Sequence, residues 1–376
     1  MDQVIKQNNL DFDFKDKSKS KAIIKSKREA NIELLRFVLA LFVVIIHTIG
    51  GPTIVFARGS VPCFALITGY FLIRKQDDFR FLRFIPTLFL LLFLNVILSL
   101  IFNLISVNTI DKQLVEGTEE WLKLIFFGTN PMWYMWAILF VYILSPFINE
   151  GMKRMSTFSS GFLIVSLFLI FQISGLIKFS YISSSGYYHL EGFFVVLYSY
   201  MFGAFLALHC ENFFRRKSLI WIIFASTLII SYIFVALYYL VYPNANTWFQ
   251  MARSNHGFMS IFIAFSFFAV FKTFEIKDNK FIFYLGALST VIYAFHQTFI
   301  DFLDLYIIGF LKEDLWLEIL YTLARFAIAM TGSLVISVIM YYPFKYLNNH
   351  ISRLVNKLIV KMENKFNRVN NKTTIE

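Results

Sequence analysis

The chain has 376 residues, 58% of them hydrophobic and 16% charged, with a mean hydropathy of +0.63. Soluble proteins carry roughly 45–50% apolar and about 25% charged residues, and no soluble core hides 47 Phe, 19 Tyr and 6 Trp. A formal net charge of +11 accompanies this composition, which excludes a soluble enzyme, a disordered chain and a secreted disulfide scaffold. Long apolar runs, rather than alternating ones, specify an all-α polytopic membrane protein.

Residues 1–28 hold eight basic and four acidic residues, and residues 343–376 hold seven and two, so the tails supply nine of the eleven net charges. No aromatic-basic module accompanies them, so no nucleic acid is expected as a partner. Basic tails beside apolar spans are topology signals that face anionic membrane lipid. The polar start lacks the early apolar core of a signal peptide, so the first apolar segment is expected to remain as an anchor. Cys63 and Cys210 lie in apolar stretches and indicate no disulfide framework. No metal site is expected.

A spanning helix needs about 20 mostly apolar residues. Ten candidates follow in order, near 32–50, 60–73, 84–106, 131–148, 158–178, 191–210, 219–242, 257–274, 281–303 and 317–342. The second is short and is expected to borrow flanking residues. With the amino terminus inside, the inner loops carry twelve basic residues: Arg74, Lys75, Arg80, Arg83, Lys153, Arg154, Arg215, Arg216, Lys217, Lys272, Lys277 and Lys280. The outer connections carry six: Arg58, Lys112, Lys123, Lys178, Arg253 and Lys312. This imbalance obeys the positive-inside rule and puts both termini in the cytoplasm. The expected organisation is a basic tail over 1–30, a transmembrane domain over 31–343 and a second basic tail over 344–376, too short to form a domain of its own.

Ionisable groups inside spans are costly and mark function. Here they are Arg36, His47, Glu191, His296, Asp301 and Arg325, with His189, His209 and His256 at span edges. Arg36 and His47 are eleven residues apart, which on a helix returns nearly to the same face, with about 16 Å of rise between them. Arg36 then sits near the cytoplasmic interface, where snorkelling alone would also explain it. His47 lies in the outer half, placed for a general base or for a packing role. His296, some fifteen residues into an inside-to-outside helix, reaches the same depth and can converge with it. Arg80 and Arg83, spaced i, i+3 at a helix start, point the same way. They suit a phosphorylated ligand, although inner-face charge alone would also place them. Trp133, Tyr134 and Trp136 open the fourth span on its outer side, as an interface belt or as a stacking wall for a sugar or acyl group.

These motifs resemble the integral-membrane acyltransferase family 3. Its hallmark of Arg, ten residues and His in the first span is met by Arg36 and His47, and its R-x-x-R by Arg80 and Arg83. A Phe-x-x-Ser-Gly-Tyr/Phe stretch is met by FALITGYF with Thr68 for Ser. Trp133-Tyr134 and GALSTVIYAFH at 286–296 fit its later motifs, and the similarity covers about residues 31–343. The resemblance implies transfer of an acyl group, commonly acetyl, from cytoplasmic acetyl-CoA to a carbohydrate hydroxyl outside a bacterial plasma membrane. It assigns His47 and Arg36 to catalysis, and Arg36, Arg80 and Arg83 to acyl-CoA. Trp133, Tyr134 and His296 fall to the acceptor or acyl channel. Some members carry a fused extracytoplasmic esterase-like domain. None is read in this sequence, so either the membrane domain completes the transfer or a separate esterase-like partner does. A polysaccharide or small-molecule transporter is the alternative, but no pseudo-symmetric halves are visible; a membrane sensor would have no need of His47.

Overall fold

The computed structural model describes residues 29–49, 52–75, 80–110, 113, 115–128, 132–176, 188–241, 258–307 and 315–373. All regular structure among them is helical. Helix α1 spans Ala30–Thr48, and a 3-10 segment, Pro52–Gly59, leads into α2, Ser60–Leu72. Then come α3 (Arg80–Ile110), α4 (Gly117–Phe127), α5 (Trp133–Arg154), α6 (Thr157–Leu176) and α7 (Tyr188–His209). A 3-10 turn, Glu211–Arg215, precedes α8 (Lys217–Val241), α9 (Phe258–Thr273), α10 (Lys280–Ile307) and α11 (Leu315–Thr373).

Each of the ten apolar stretches read from the sequence falls on a helix. Seven helical stretches among the described residues are long and apolar enough to cross a membrane, and the second, Ile54–Leu72, borrows its missing length from the 3-10 segment. The apolar stretches of α6 and α9, Thr157–Ile170 and Met259–Thr273, are shorter. Helix α10 has the length, but His296, Gln297, Asp301 and Asp304 interrupt its apolar character. Large apolar side chains point outward along the bundle, among them Phe89, Phe93 and Leu104 of α3, Ile222 and Ile229 of α8, and Leu323 and Ile339 of α11. Such a belt is stable against lipid and not against water, so the protein is a multi-pass membrane protein.

Two elements differ from the sequence reading. The segment 344–373, read as a tail, continues α11. At 1.5 Å per residue the 59 residues of α11 reach about 88 Å, far beyond the roughly 30 Å of hydrocarbon. Its low hydropathy conceals an amphipathic helix: Phe344, Leu347 and Ile351 face Pro86 and Leu90 of α3, and Ile359 is buried on the same stripe. Helix α4 was not anticipated. Glu119 and Lys123 pair along one side of it, while Leu122, Ile125, Phe126 and Phe127 are exposed, the pattern of a helix lying in a membrane interface.

The end of the bundle at which α1 begins is called the base, and the end at which it finishes the rim. At the base, Asn31 donates to the Phe271 carbonyl at 2.9 Å and so caps the end of α9. Lys272 pairs with Glu29 at 2.8 Å and Lys217 with Glu275 at 2.6 Å. Glu211 accepts from Tyr70 at 2.6 Å and pairs with Arg74. Glycines let the helices close above these ties. A Cβ on Gly69 would strike the Tyr200 carbonyl, and one on Gly203 the Leu66 carbonyl, so α2 and α7 meet backbone to backbone. Pro146 inside α5 leaves the Tyr142 carbonyl without its helical donor, and the Ser145 hydroxyl supplies one at 2.8 Å. Cys63 and Cys210 are both free thiols.

Candidate functional site

Helices α1 and α10 both rise from the base and pack along each other. His47 comes seventeen residues after Ala30 and His296 sixteen after Lys280, so both imidazoles stand about 24–25 Å above their helix starts. Their ring centroids are 5.1 Å apart. The convergence expected from depth alone is therefore present. Gly286, which opens the 286–296 motif, permits it: a Cβ there would lie 2.8 Å from the Glu33 Cβ and 2.9 Å from the Glu33 carbonyl oxygen.

His296 has no exposed surface. Its Nδ1 lies 2.8 Å from the Tyr293 carbonyl, and a carbonyl only accepts, so in the neutral ring Nδ1 carries the proton and Nε2 a lone pair. That Nε2 is buried with no hydrogen-bond partner among the described residues. Buried polar groups are nearly always partnered, so a bare imidazole nitrogen beside a second imidazole marks a place where something else binds. His47 itself is partly exposed, and Arg58 and Arg325 are close enough to act on it electrostatically.

Helix α3 fixes this part of α10. Asn95, fully buried, donates to the Ala294 carbonyl at 2.9 Å and accepts from the Thr298 hydroxyl at 3.1 Å. Both of its amide ends grip the turn that carries His296. Below the imidazoles runs an aromatic wall. Tyr293 lies 6.1 Å from His296 and 5.6 Å from Tyr134, and Tyr134 lies 6.2 Å from Phe64. Tyr134 also interacts with Thr68, of the FALITGYF stretch, and with the Arg36 charge. The first-span, second-span, fourth-span and late motifs thus meet around one axis.

The other candidates are placed differently. Arg36 pairs with Glu33 at 3.2 Å, the acid being almost wholly buried. The sequence reading overlooked Glu33, although i, i+3 spacing to Arg36 announces such a pair. Trp133 meets Tyr134 edge-on with ring centroids 6.3 Å apart but is only partly buried, and it packs on Gly192 of α7, where a Cβ would approach its ring to 2.5 Å. Arg83 stands at the base and donates to Asn356 of α11 at 2.8 Å. His209 contacts Thr157 at the base at 3.0 Å. Asp301 accepts from Gln297, and Arg325 pairs with Asp304 at the rim. The side chains of Arg80, His189 and Glu191, together with residue 256 and the tail 1–28, lie outside the described residues.

The arrangement offers what acyl transfer to a hydroxyl requires: an imidazole with a free lone pair, a second imidazole beside it, and cationic groups at another level to hold a charged donor. No curated protein and no solved structure matches the chain. A family model does match it, over residues 29–342, and describes an acyltransferase domain. That match takes in α1 through the membrane part of α11 and every residue of the histidine pair and its aromatic wall, and so the chain belongs to acyltransferase family 3 and is a membrane acyltransferase.

Proposed function

We propose that the protein moves an acyl group, acetyl in the first instance, from cytoplasmic acyl-CoA to a hydroxyl of an extracytoplasmic carbohydrate such as an exopolysaccharide, capsule or cell-wall glycan. The observation that carries this reading is the His47–His296 pair at 5.1 Å, set about three helical turns above Arg36. The excess of basic residues at the base argues that this end is cytoplasmic, in the plasma membrane of a bacterial cell.

In this reading acetyl-CoA is a co-substrate. Arg80 and Arg83 hold its phosphates at the base through bidentate guanidinium contacts, and Arg36 takes the next level. The pantetheine arm follows the wall of Tyr134 and Tyr293 and presents the thioester carbonyl beside His47. His47 takes the proton from the acceptor hydroxyl as that oxygen bonds to the carbonyl carbon. The carbon–sulfur bond then breaks, and His47 returns the proton to the departing thiolate, so that no net proton is gained or lost. The lone pair on His296 Nε2 accepts a hydrogen bond from a neighbouring hydroxyl of the same acceptor, which leaves the reacting O–H directed at His47. Carrying CoA itself across would take several phosphate charges through hydrocarbon, at some kcal/mol for each charge. Moving only the acyl group avoids this. A separate esterase-like partner outside would relay the acyl group if the membrane domain stops at an intermediate.

Vesicles of one orientation, with labelled acetyl-CoA sealed on the side of the base, test the reading. Labelled glycan on the opposite side is the expected result. Label confined to same-side acceptors would leave an acyltransferase without transmembrane transfer, and acyl-CoA that neither binds nor turns over would remove the reading altogether.

A further inference from the structure

Above the histidines, the rim ends of α1, α10 and α11 form a second polar cluster that the transfer step does not use. Gln297 donates to Asp301 at 2.6 Å. Asp304, one turn further along the same face of α10, accepts from the Tyr321 hydroxyl at 2.5 Å and from Arg325 at 2.8 Å. Arg325 also donates to the carbonyl of Thr48 at 3.4 Å, the residue after His47, and acts on the His47 ring electrostatically. Two carboxylates and a guanidinium in an apolar setting are expensive, and their mutual contacts do not exhaust them. Among the described residues, Arg325 Nε and Gln297 Oε1 are buried without hydrogen-bond partners, as is His296 Nε2 directly below. The cluster thus leaves one donor and one acceptor unanswered among the described residues, directly above the bare acceptor of the wholly buried His296.

We propose that this cluster is the acceptor subsite, taking an uncharged polyhydroxylated molecule of the carbohydrate class and delivering one of its hydroxyls to His47 while a neighbouring hydroxyl donates to His296 Nε2. The inference rests on the acyl-transfer reading given above and specifies its acceptor. A hydroxyl group both gives and accepts a hydrogen bond, so neighbouring hydroxyls on a sugar ring answer the spare donor and the spare acceptors together. Asp304 and Arg325 cancel each other's charge, so an anionic acceptor is disfavoured by Asp301, whose partner Gln297 is neutral. The order of groups along α10, with His296 beneath Gln297, Asp301 and Asp304, sets the bound ring above the base that activates it.

The test uses the full-length protein in lipid nanodiscs, with acetyl-CoA as donor and maltotriose, chitotriose and trigalacturonate as acceptors. Asp304→Asn, Arg325→Gln and Gln297→Met should each raise the KM for the neutral acceptors by about ten- to a hundredfold, while direct titration with acetyl-CoA gives the wild-type affinity. The charge-swapped pair D304R/R325D separates binding from scaffolding. If the two residues serve only to join α10 to α11, the swap restores thermal stability and acceptor KM together. If they bind the acceptor, stability recovers and KM does not. Wild-type acceptor KM in all three single variants overturns the subsite, as does transfer to none of the three oligosaccharides with donor binding intact. Failure of the wild-type protein to bind acetyl-CoA overturns instead the reading on which the subsite rests.

Discussion

The base of the bundle and its histidine level hold their polar side chains in different ways. At the base Asn31, Tyr70, Arg74, Glu211, Lys272 and Glu29 are engaged with one another or with helix ends. At the histidine level and above it, His296 Nε2, Gln297 Oε1 and Arg325 Nε are buried and unanswered among the described residues. A matched polar contact stabilises the fold modestly, whereas an unmatched buried atom costs about 1–3 kcal/mol. Such a cost is tolerated where a substrate meets it. His209 Nε2 at the base is also buried without a hydrogen-bond partner among the described residues. The contrast therefore teaches that ties and tools are separated by an open hydrogen bond together with a second reactive group beside it, as at His296 and His47.

The comparison breaks if the tools prove dispensable. His47→Ala should lower acyl transfer by about 10²–10⁴-fold with the protein still inserted, measured as turnover of labelled acetyl-CoA by purified protein. His296→Ala should follow with a smaller loss, since its Nε2 orients rather than abstracts. Near-normal turnover in the His47 variant would return both imidazoles to packing.

Gly286→Ala sharpens the comparison by moving a tool without removing it. The added methyl meets the backbone of Glu33, so α10 must withdraw from α1. A cost of about 1–3 kcal/mol is expected, read by thermal unfolding, together with a fall in kcat as His296 leaves His47. Gly151→Ala meets nothing within 4 Å and should stabilise α5 by up to about 1 kcal/mol. Equal effects at the two glycines would contradict the packing described.

Arg83 stands between the classes, since it has a protein partner and a proposed ligand. Arg83→Ala should raise the KM for acetyl-CoA by about tenfold with kcat little changed. Asn356→Ala removes only the contact to α11 and should leave that KM as it was. If both variants behave alike, Arg83 is a tie.

The smallest effect belongs to the base. Burial works against ionisation of Glu211, but hydrogen bonds from Tyr70 and Arg74 outweigh it and hold its carboxyl below the ordinary carboxylate value. Its folded pKa being depressed, its contribution is present above the unfolded pKa and lost as pH falls through the folded one. Because the pair is partly exposed, Glu211→Gln should cost no more than about 1 kcal/mol at neutral pH and nothing in strong acid. Thermal melts from pH 7 down to pH 3 measure this.

Much of the architecture was legible in the residues. Apolar runs located ten stretches that each fall on a helix, and seven helical stretches among the described residues are long and apolar enough to span, because hydrocarbon demands helices of a minimum length. Helical pitch placed Arg36 and His47 on one face, and counting from Lys280 brought His296 to the same depth. Counting does not give partners. Glu33 escaped notice because an acid at a span edge looks solvated until Gly286 packs over it, and no spacing in the chain announces that Asn95 reaches Ala294 and Thr298. The segment 344–373 read as a tail because charge lowers its hydropathy, although the apolar stripe through Phe344, Leu347 and Ile351 was there to be seen.

What the sequence determined by itself was the local and the periodic: the positions of the helices, the depth of each motif, the asymmetry of basic charge. These follow from pitch, rise and transfer free energy, which act within a segment. What only the tertiary structure decided was neighbourhood. It placed two histidines separated by 249 positions at 5.1 Å, tied Trp133 to Gly192 while sending Tyr134 inward, and left one face of His296 bare. Contacts between segments depend on which helices pack together, and that is settled by close approach at Gly69, Gly203 and Gly286, where a single absent methyl carries no periodic signal in the chain.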